Sequence, residues 1–220
     1  MIFYKGNWDF QIELNINKPK CFLFNNLDEL YSFHKSLINT EETDIIITDG
    51  KKQLNLDLNT IYIDNILSLD LNTRKSITSL QKNISDTVSK SDLLFTFQQL
   101  KDEVNTFINK VKSMVLRNIV YDDFNFEELL KVMNVRLFSD YNKPEEMVLN
   151  FLELMIELTK VKVFFIHNVF HYFNETVIEE INKFCMINKI PIVYIEIKGS
   201  NKINRNLVDV YDIVDNIVLK

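Results

Sequence analysis

The stretch VKVFFIHNVFHYFNETVIEEINKFCMINKIPIVYIEI, residues 161–197, decides the fold. Val161 to Ile166 is an almost unbroken apolar run, and Ile190 to Ile197 is another. Between them Asn174 stands where a helix N-cap belongs, ahead of Val177, Ile178, Ile181, Phe184 and Cys185 at helical spacing. Strand, helix and strand in that order predict a βαβ crossover with parallel neighbours. Parallel strands are covered on both faces, which explains why these two are apolar throughout instead of alternating.

The same alternation extends outward in both directions. Cys21 to Phe24 predicts a strand, Asn25-Asn26 a turn, and Leu27, Leu30, Tyr31, Phe33, His34 and Leu37 a helix. Asp44 to Thr48, closed by Asp49-Gly50, predicts a second buried strand, and Thr60 to Leu67 a third. Before them, Ile2–Tyr4 and Phe10–Ile16 predict an edge hairpin, with Phe10, Ile12, Leu14 and Ile16 on one face. On the other side of the unit, Pro144 with Glu145 and Glu146 opens a helix striped by Met147, Phe151, Leu154, Met155 and Leu158. The tail, Val208 to Leu219, reads as a short helix and a closing strand.

One segment breaks the pattern. Residues 71–119 contain no Pro and no Gly, and their apolar residues step by three and four: Ile77, Leu80, Ile84 and Val88, then Leu100, Val104, Phe107, Ile108, Val111, Val115 and Ile119. Two long helices broken near Ser89 to Asp92 follow from that spacing. After residue 120, Asn125 and Glu128 have capping-box spacing ahead of a helix from Phe126 to Met133, and Val135–Phe138 reads as a short strand. The expected architecture is therefore α/β: a head of mainly parallel sheet from residues 1–70 and 120–220, with a helical leg, residues 71–119, inserted into it.

Composition narrows the function. A chain of 220 residues that is 46% hydrophobic and 25% charged can pack a sizeable core. No apolar run approaches the length of a membrane span and the N-terminus carries no signal-peptide pattern, so a cytoplasmic, membrane-free protein is expected. Cys21 and Cys185, far apart and each in an apolar stretch, read as buried thiols. There is no alanine, and Gly6, Gly50 and Gly199 are the only glycines, so no phosphate-cradling Walker A or dinucleotide-binding loop can be drawn. The net charge of −6 excludes an indiscriminate nucleic-acid binder but says nothing of how charge is distributed.

Three constellations carry candidate chemistry. His167 and His171 have i, i+4 spacing, but His167 closes a strand and no H-E-x-x-H accompanies them, so satisfied or exposed histidines are expected. Asp122, Asp123, Glu127 and Glu128 gather at a loop-to-helix junction. They serve either as oxygen ligands for a hard cation such as calcium or as helix-capping acids that offset the dipole. Basic residues recur along helix faces: Lys75 with Lys82, Lys110 with Arg117, and Lys101 with Lys112. At 100° per residue each pair falls about 20° apart. Lys198, Lys202 and Arg205 form a second basic run without acids. Such faces are either solvated surface or a track for phosphates that binds duplex without reading sequence.

Several ordered stretches resemble a known family. Phe126-Glu-Glu-Leu-Leu-Lys-Val-Met-Asn-Val-Arg-Leu137, Asn150 to Asn168, Ile190 to Ile197, Cys21 to Tyr31 and Thr60 to Leu67 together resemble the type II-A CRISPR adaptation protein, the Csn-two family. The likeness runs over most of residues 20–220. It implies an α/β head similar to a P-loop ATPase that has lost its phosphate loop, with an inserted helical leg. It also implies a non-enzymatic homotetrameric ring that binds calcium and holds double-stranded DNA ends in a lysine-lined hole. The ring would act in spacer acquisition beside the adaptation integrase and the type II effector nuclease. The acidic junction at 121–128 is similar to an acidic stretch in the family and so becomes the candidate calcium site. The channel lysines follow no alignable motif, and the basic residues above are nominated by charge pattern. The rivals are a metal-dependent nuclease using Asp122, Asp123 and Glu127, a degenerate nucleotide hydrolase, and a scaffold for an acidic partner.

Overall fold

The computed structural model describes residues 1–115, 120–138, 143–199 and 203–220. They fall into two units, residues 1–70 with 139–220, and residues 71–138. In the first, β1 (Ile2–Lys5) and β2 (Ile12–Glu13) form the expected antiparallel hairpin, with Phe3 and Ile12 fully buried. β3 (Lys20–Phe24) passes through Asn25-Asn26 into α1 (Leu27–Ile38), and the Asn26 side chain accepts the Glu29 amide at 2.9 Å. That cap needs no glycine, which is how this strand-to-helix turn forms without a phosphate loop.

β4 (Ile45–Asp49) departs from the sequence reading. It pairs antiparallel with β1 and with β5 (Lys52–Gln53), in a separate four-stranded sheet ordered β2-β1-β4-β5. Ile45 and Ile47 are buried while Ile46 is exposed, the alternation of a sheet covered on one face. After α2 (Leu56–Asn59), β6 (Thr60–Ile63) ends four residues short of the expected Leu67. There the Asn65 side chain takes the Leu67 amide at 3.0 Å and starts a 3-10 turn, Ile66–Ser68.

The second unit is helical. α3 (Arg74–Ser89) and α4 (Leu93–Met114) are separated at Lys90–Asp92, inside the predicted break. Ile119, read as the end of that helix, lies outside the described residues. α5 (Phe126–Val132) opens with the predicted capping box: Asn125 Oδ1 accepts the Glu128 amide at 2.9 Å and the Glu128 carboxylate accepts the Asn125 amide at 2.8 Å. Val135–Phe138 is not a strand. The Asn72 side chain instead takes the Leu137 amide at 2.8 Å and donates to the Leu137 carbonyl at 3.2 Å, satisfying that backbone without a ladder. Residues 120–138, read from sequence as head, cluster with the helical pair.

In the first unit, α6 (Pro144–Leu158) buries Val148, Phe151, Leu152 and Met155. The crossover then forms as read: β7 (Val163–His167), the short α7 (Val169–Tyr172), α8 (Glu175–Ile187) capped by Asn174, and β8 (Ile192–Ile197), parallel to β7. The tail is a hairpin of β9 (Asp209–Val214) and β10 (Ile217–Leu219), not a helix and strand. Its turn residues Asp215 and Asn216 both hold positive φ, 50° and 63°. This is the type I′ turn that matches strand twist, built from Asp-Asn without the glycine that usually signals it. The main sheet has the order β10-β9-β3-β8-β7-β6, with parallel pairing everywhere except at β10.

Aromatic side chains fill the core. Trp8 stacks on Phe33 at 5.6 Å and 8°, and Phe3, Phe22 and Phe24 close around them. Cys21 and Cys185 are free and buried. No helix of the described residues is long and apolar enough to cross a membrane.

Candidate nucleic-acid interface

Residues 71–119 carry eight basic and four acidic side chains, a net +4 inside a chain of net −6, and residues 120–138 carry two basic and four acidic. The acidic segment lies along the basic helix. Asp123 forms an ion pair with Lys101 at 2.5 Å, Tyr121 lies under the Lys112 ammonium at 4.8 Å, and Phe124 and Phe126 pack edge-on against Phe97. The Lys101 hydrogen bond holds the exposed Asp123 carboxyl below the usual carboxylate range. The face of α4 that carries Lys101 and Lys112 is thus occupied by the chain's own segment.

The other nominated basic residues stand differently. Lys82 on α3 and Lys110 on α4 are exposed and make no ion pair among the described residues. Lys110 borders a cavity of about 390 Å³ with Asp102, Glu103, Thr106 and Phe107. Lys75, on the first turn of α3, is half-buried. In the other unit Lys198 is exposed beyond β8, its amide bonded to the Phe24 carbonyl at 2.9 Å, while Arg205 pairs with Asp212 at 3.4 Å. Arg117 and Lys202 lie outside the described residues.

The acidic junction is largely committed to structure. Asp123 faces Lys101 and Glu128 closes the capping box, leaving Asp122 and Glu127 without ion pairs among the described residues. No three His, Cys, Asp or Glu side chains among the described residues stand close enough to hold a metal together. Calcium takes six to eight oxygens, so these four residues do not make a complete calcium cage within one chain.

α4 has a second property that spacing alone did not show. None of its residues is buried, although Leu93, Leu94, Phe95, Leu100 and Phe107 lie along it. Leu93, Phe97 and Leu100, with Val88 and Phe126, line an apolar groove of about 430 Å³. Sequence periodicity marked Leu100 and Phe107 as part of the helix's apolar stripe; only the coordinates show that both are exposed in the single chain.

In the head, ion pairs hold strand ends. Lys5 meets Asp44 at 2.6 Å and Lys20 meets Asp209 at 2.7 Å, both lysines being buried. Burial raises the Asp209 and Asp44 carboxyls, but hydrogen bonds from Lys20 and Lys18, and from Lys5 and Ser36, outweigh it and leave both low. Glu196, 1% exposed on β8, accepts the Phe170 amide at 3.0 Å, and burial pushes its carboxyl up to about 7. Its single charged letter in an apolar strand was the available sequence signal. His167 and His171 do not converge. Asn168 takes a left-handed φ of 63° between them, His167 Nδ1 meets the Asp64 carbonyl at 3.2 Å, and His171 packs on Tyr172.

A family model described as CRISPR-associated protein (Cas_Csn2) matches residues 38–212, so the chain belongs to the Csn2 family of CRISPR-associated proteins.

Proposed function

We propose that the protein binds double-stranded DNA without reading sequence, as a non-enzymatic ring component of CRISPR spacer acquisition. The observation that carries the reading is the +4 charge of residues 71–119 inside an acidic chain, with Lys82 and Lys110 exposed and unpaired among the described residues. Exposed lysines on helices contact phosphates, release counterions and make binding fall steeply with salt. Assembly into a homotetramer is supported by α4, which buries no residue and leaves Leu93, Leu94, Phe95, Leu100 and Phe107 exposed in the single chain. Large exposed apolar surface of this kind marks a protein contact. Partners in this reading are the adaptation integrase and the type II effector nuclease.

Calcium belongs to the proposal for the assembled ring: among the described residues of one chain, Asp122 and Glu127 are not joined into a cluster of three carboxylates. Gel shifts on linear and closed circular duplex at several salt concentrations test the DNA reading. Salt-sensitive binding that favours linear DNA supports threading of ends onto a ring; equal loading on circles, or salt-independent binding, defeats it. Light scattering with and without calcium reports the assembly, and turnover of ATP or cleavage of DNA would replace the non-enzymatic reading with an enzymatic one.

A further inference from the structure

The carboxyl ends of β6 and β7 bring together groups that DNA binding does not use. His34 reaches this point from α1 and His167 from the last position of β7, and their ring centroids lie 6.2 Å apart with perpendicular planes. Each ring is fixed through the same nitrogen. His34 Nδ1 bonds the Tyr62 hydroxyl at 2.7 Å, and His167 Nδ1 bonds the Asp64 backbone carbonyl at 3.2 Å. Neither Nε2 has a hydrogen bond among the described residues. Both histidines are half-buried, so part of each stays open to solvent.

Histidines that bind metals are held in this way, one ring nitrogen oriented by a carbonyl or hydroxyl and the other left as the ligand. With metal–nitrogen bonds of about 2.1 Å, two imidazoles on one ion have centroids roughly 5 Å apart at a tetrahedral angle and roughly 6.4 Å at a linear one, so the observed 6.2 Å lies within about 1 Å of the tetrahedral distance. The exposed Asp64 carboxylate acts electrostatically on both Tyr62 and His167, adding negative charge beside the pair. The location agrees with the rule that open α/β sheets bind ligands beyond the carboxyl ends of their strands.

We propose that His34 and His167 form a two-imidazole site for a divalent transition metal, of the zinc, nickel or copper class. Imidazole nitrogen favours these ions over calcium and magnesium, so the site is chemically distinct from any oxygen site in the ring. No third protein ligand joins the pair among the described residues, which leaves the remaining coordination positions to solvent or to a bound anion.

Titration calorimetry of the EDTA-stripped full chain with zinc chloride, in a buffer that does not chelate, tests this. The expected result is one zinc per chain, with affinity at least tenfold weaker in His34→Gln and in His167→Gln and unchanged in His171→Gln. No zinc uptake, or equal affinity in wild type and in both of the first two variants, overturns the proposal. The unsubstituted chain gives a second answer that does not depend on variant folding, because it holds only three histidines. Substoichiometric copper should broaden the ring resonances of His34 and His167 before those of His171; uniform broadening, or His171 first, overturns it.

Discussion

Single residues set two balances that can be measured. Glu196 is buried among apolar strands with its acid form favoured, from an ordinary value of 4.5 up to about 7. The folded state therefore holds a proton that the unfolded state releases, and stability falls as pH rises from about 4.5 to about 7. A rise of that size corresponds to roughly 3 kcal/mol. Glu196→Gln keeps an acceptor for the Phe170 amide and removes the charge. Its thermal midpoint should exceed wild type at pH 8 and match it near pH 4.5. Asp123 sets the second balance by neutralising Lys101. Asp123→Asn should raise affinity for duplex several-fold and steepen the log–log salt dependence by about one, as one more phosphate contact becomes available. Gel shifts across a salt series read both.

Elements show where local chemistry overrides pattern. α5 has seven residues, too few for a stable isolated helix, and depends on its capping box and on Phe126 packing against Phe97. Asn125→Ala should cost about 1 kcal/mol in a denaturant titration of the intact chain, with a loss of helical ellipticity confined to a small fraction of the signal. The capping box was legible because it is a spacing of two residue types. The Asn72 clamp on Leu137 was not, since its partners are 65 positions apart. Likewise the β9–β10 turn was missed because Asp-Asn reaches positive φ less often than Asn-Gly, and β4, legible as a strand, gave no sign of its sheet because a β-branched run does not name its partner.

For the whole molecule, the acidic total hides a division of charge. Residues 71–138 carry ten basic and eight acidic groups, net +2, and the remainder carries fifteen and twenty-three, net −8. Reversing Lys82 and Lys110 together to Glu should lower duplex affinity by tenfold or more and flatten the salt dependence by about two, equally for unrelated sequences; unchanged affinity would mean that DNA binds elsewhere. The sequence by itself determined the βαβ core, the two inserted helices, the buried thiols and the absence of a phosphate loop. These follow from periodicity, residue type and glycine count, all local along the chain. Only the tertiary structure decided that Lys101 and Lys112 are taken up by residues 121–123, that α4 buries nothing, that the N-terminal strands make their own sheet, and that His34 meets His167. Each of these is a pairing of distant residues, and sequence spacing constrains which face a side chain occupies but not what arrives opposite it.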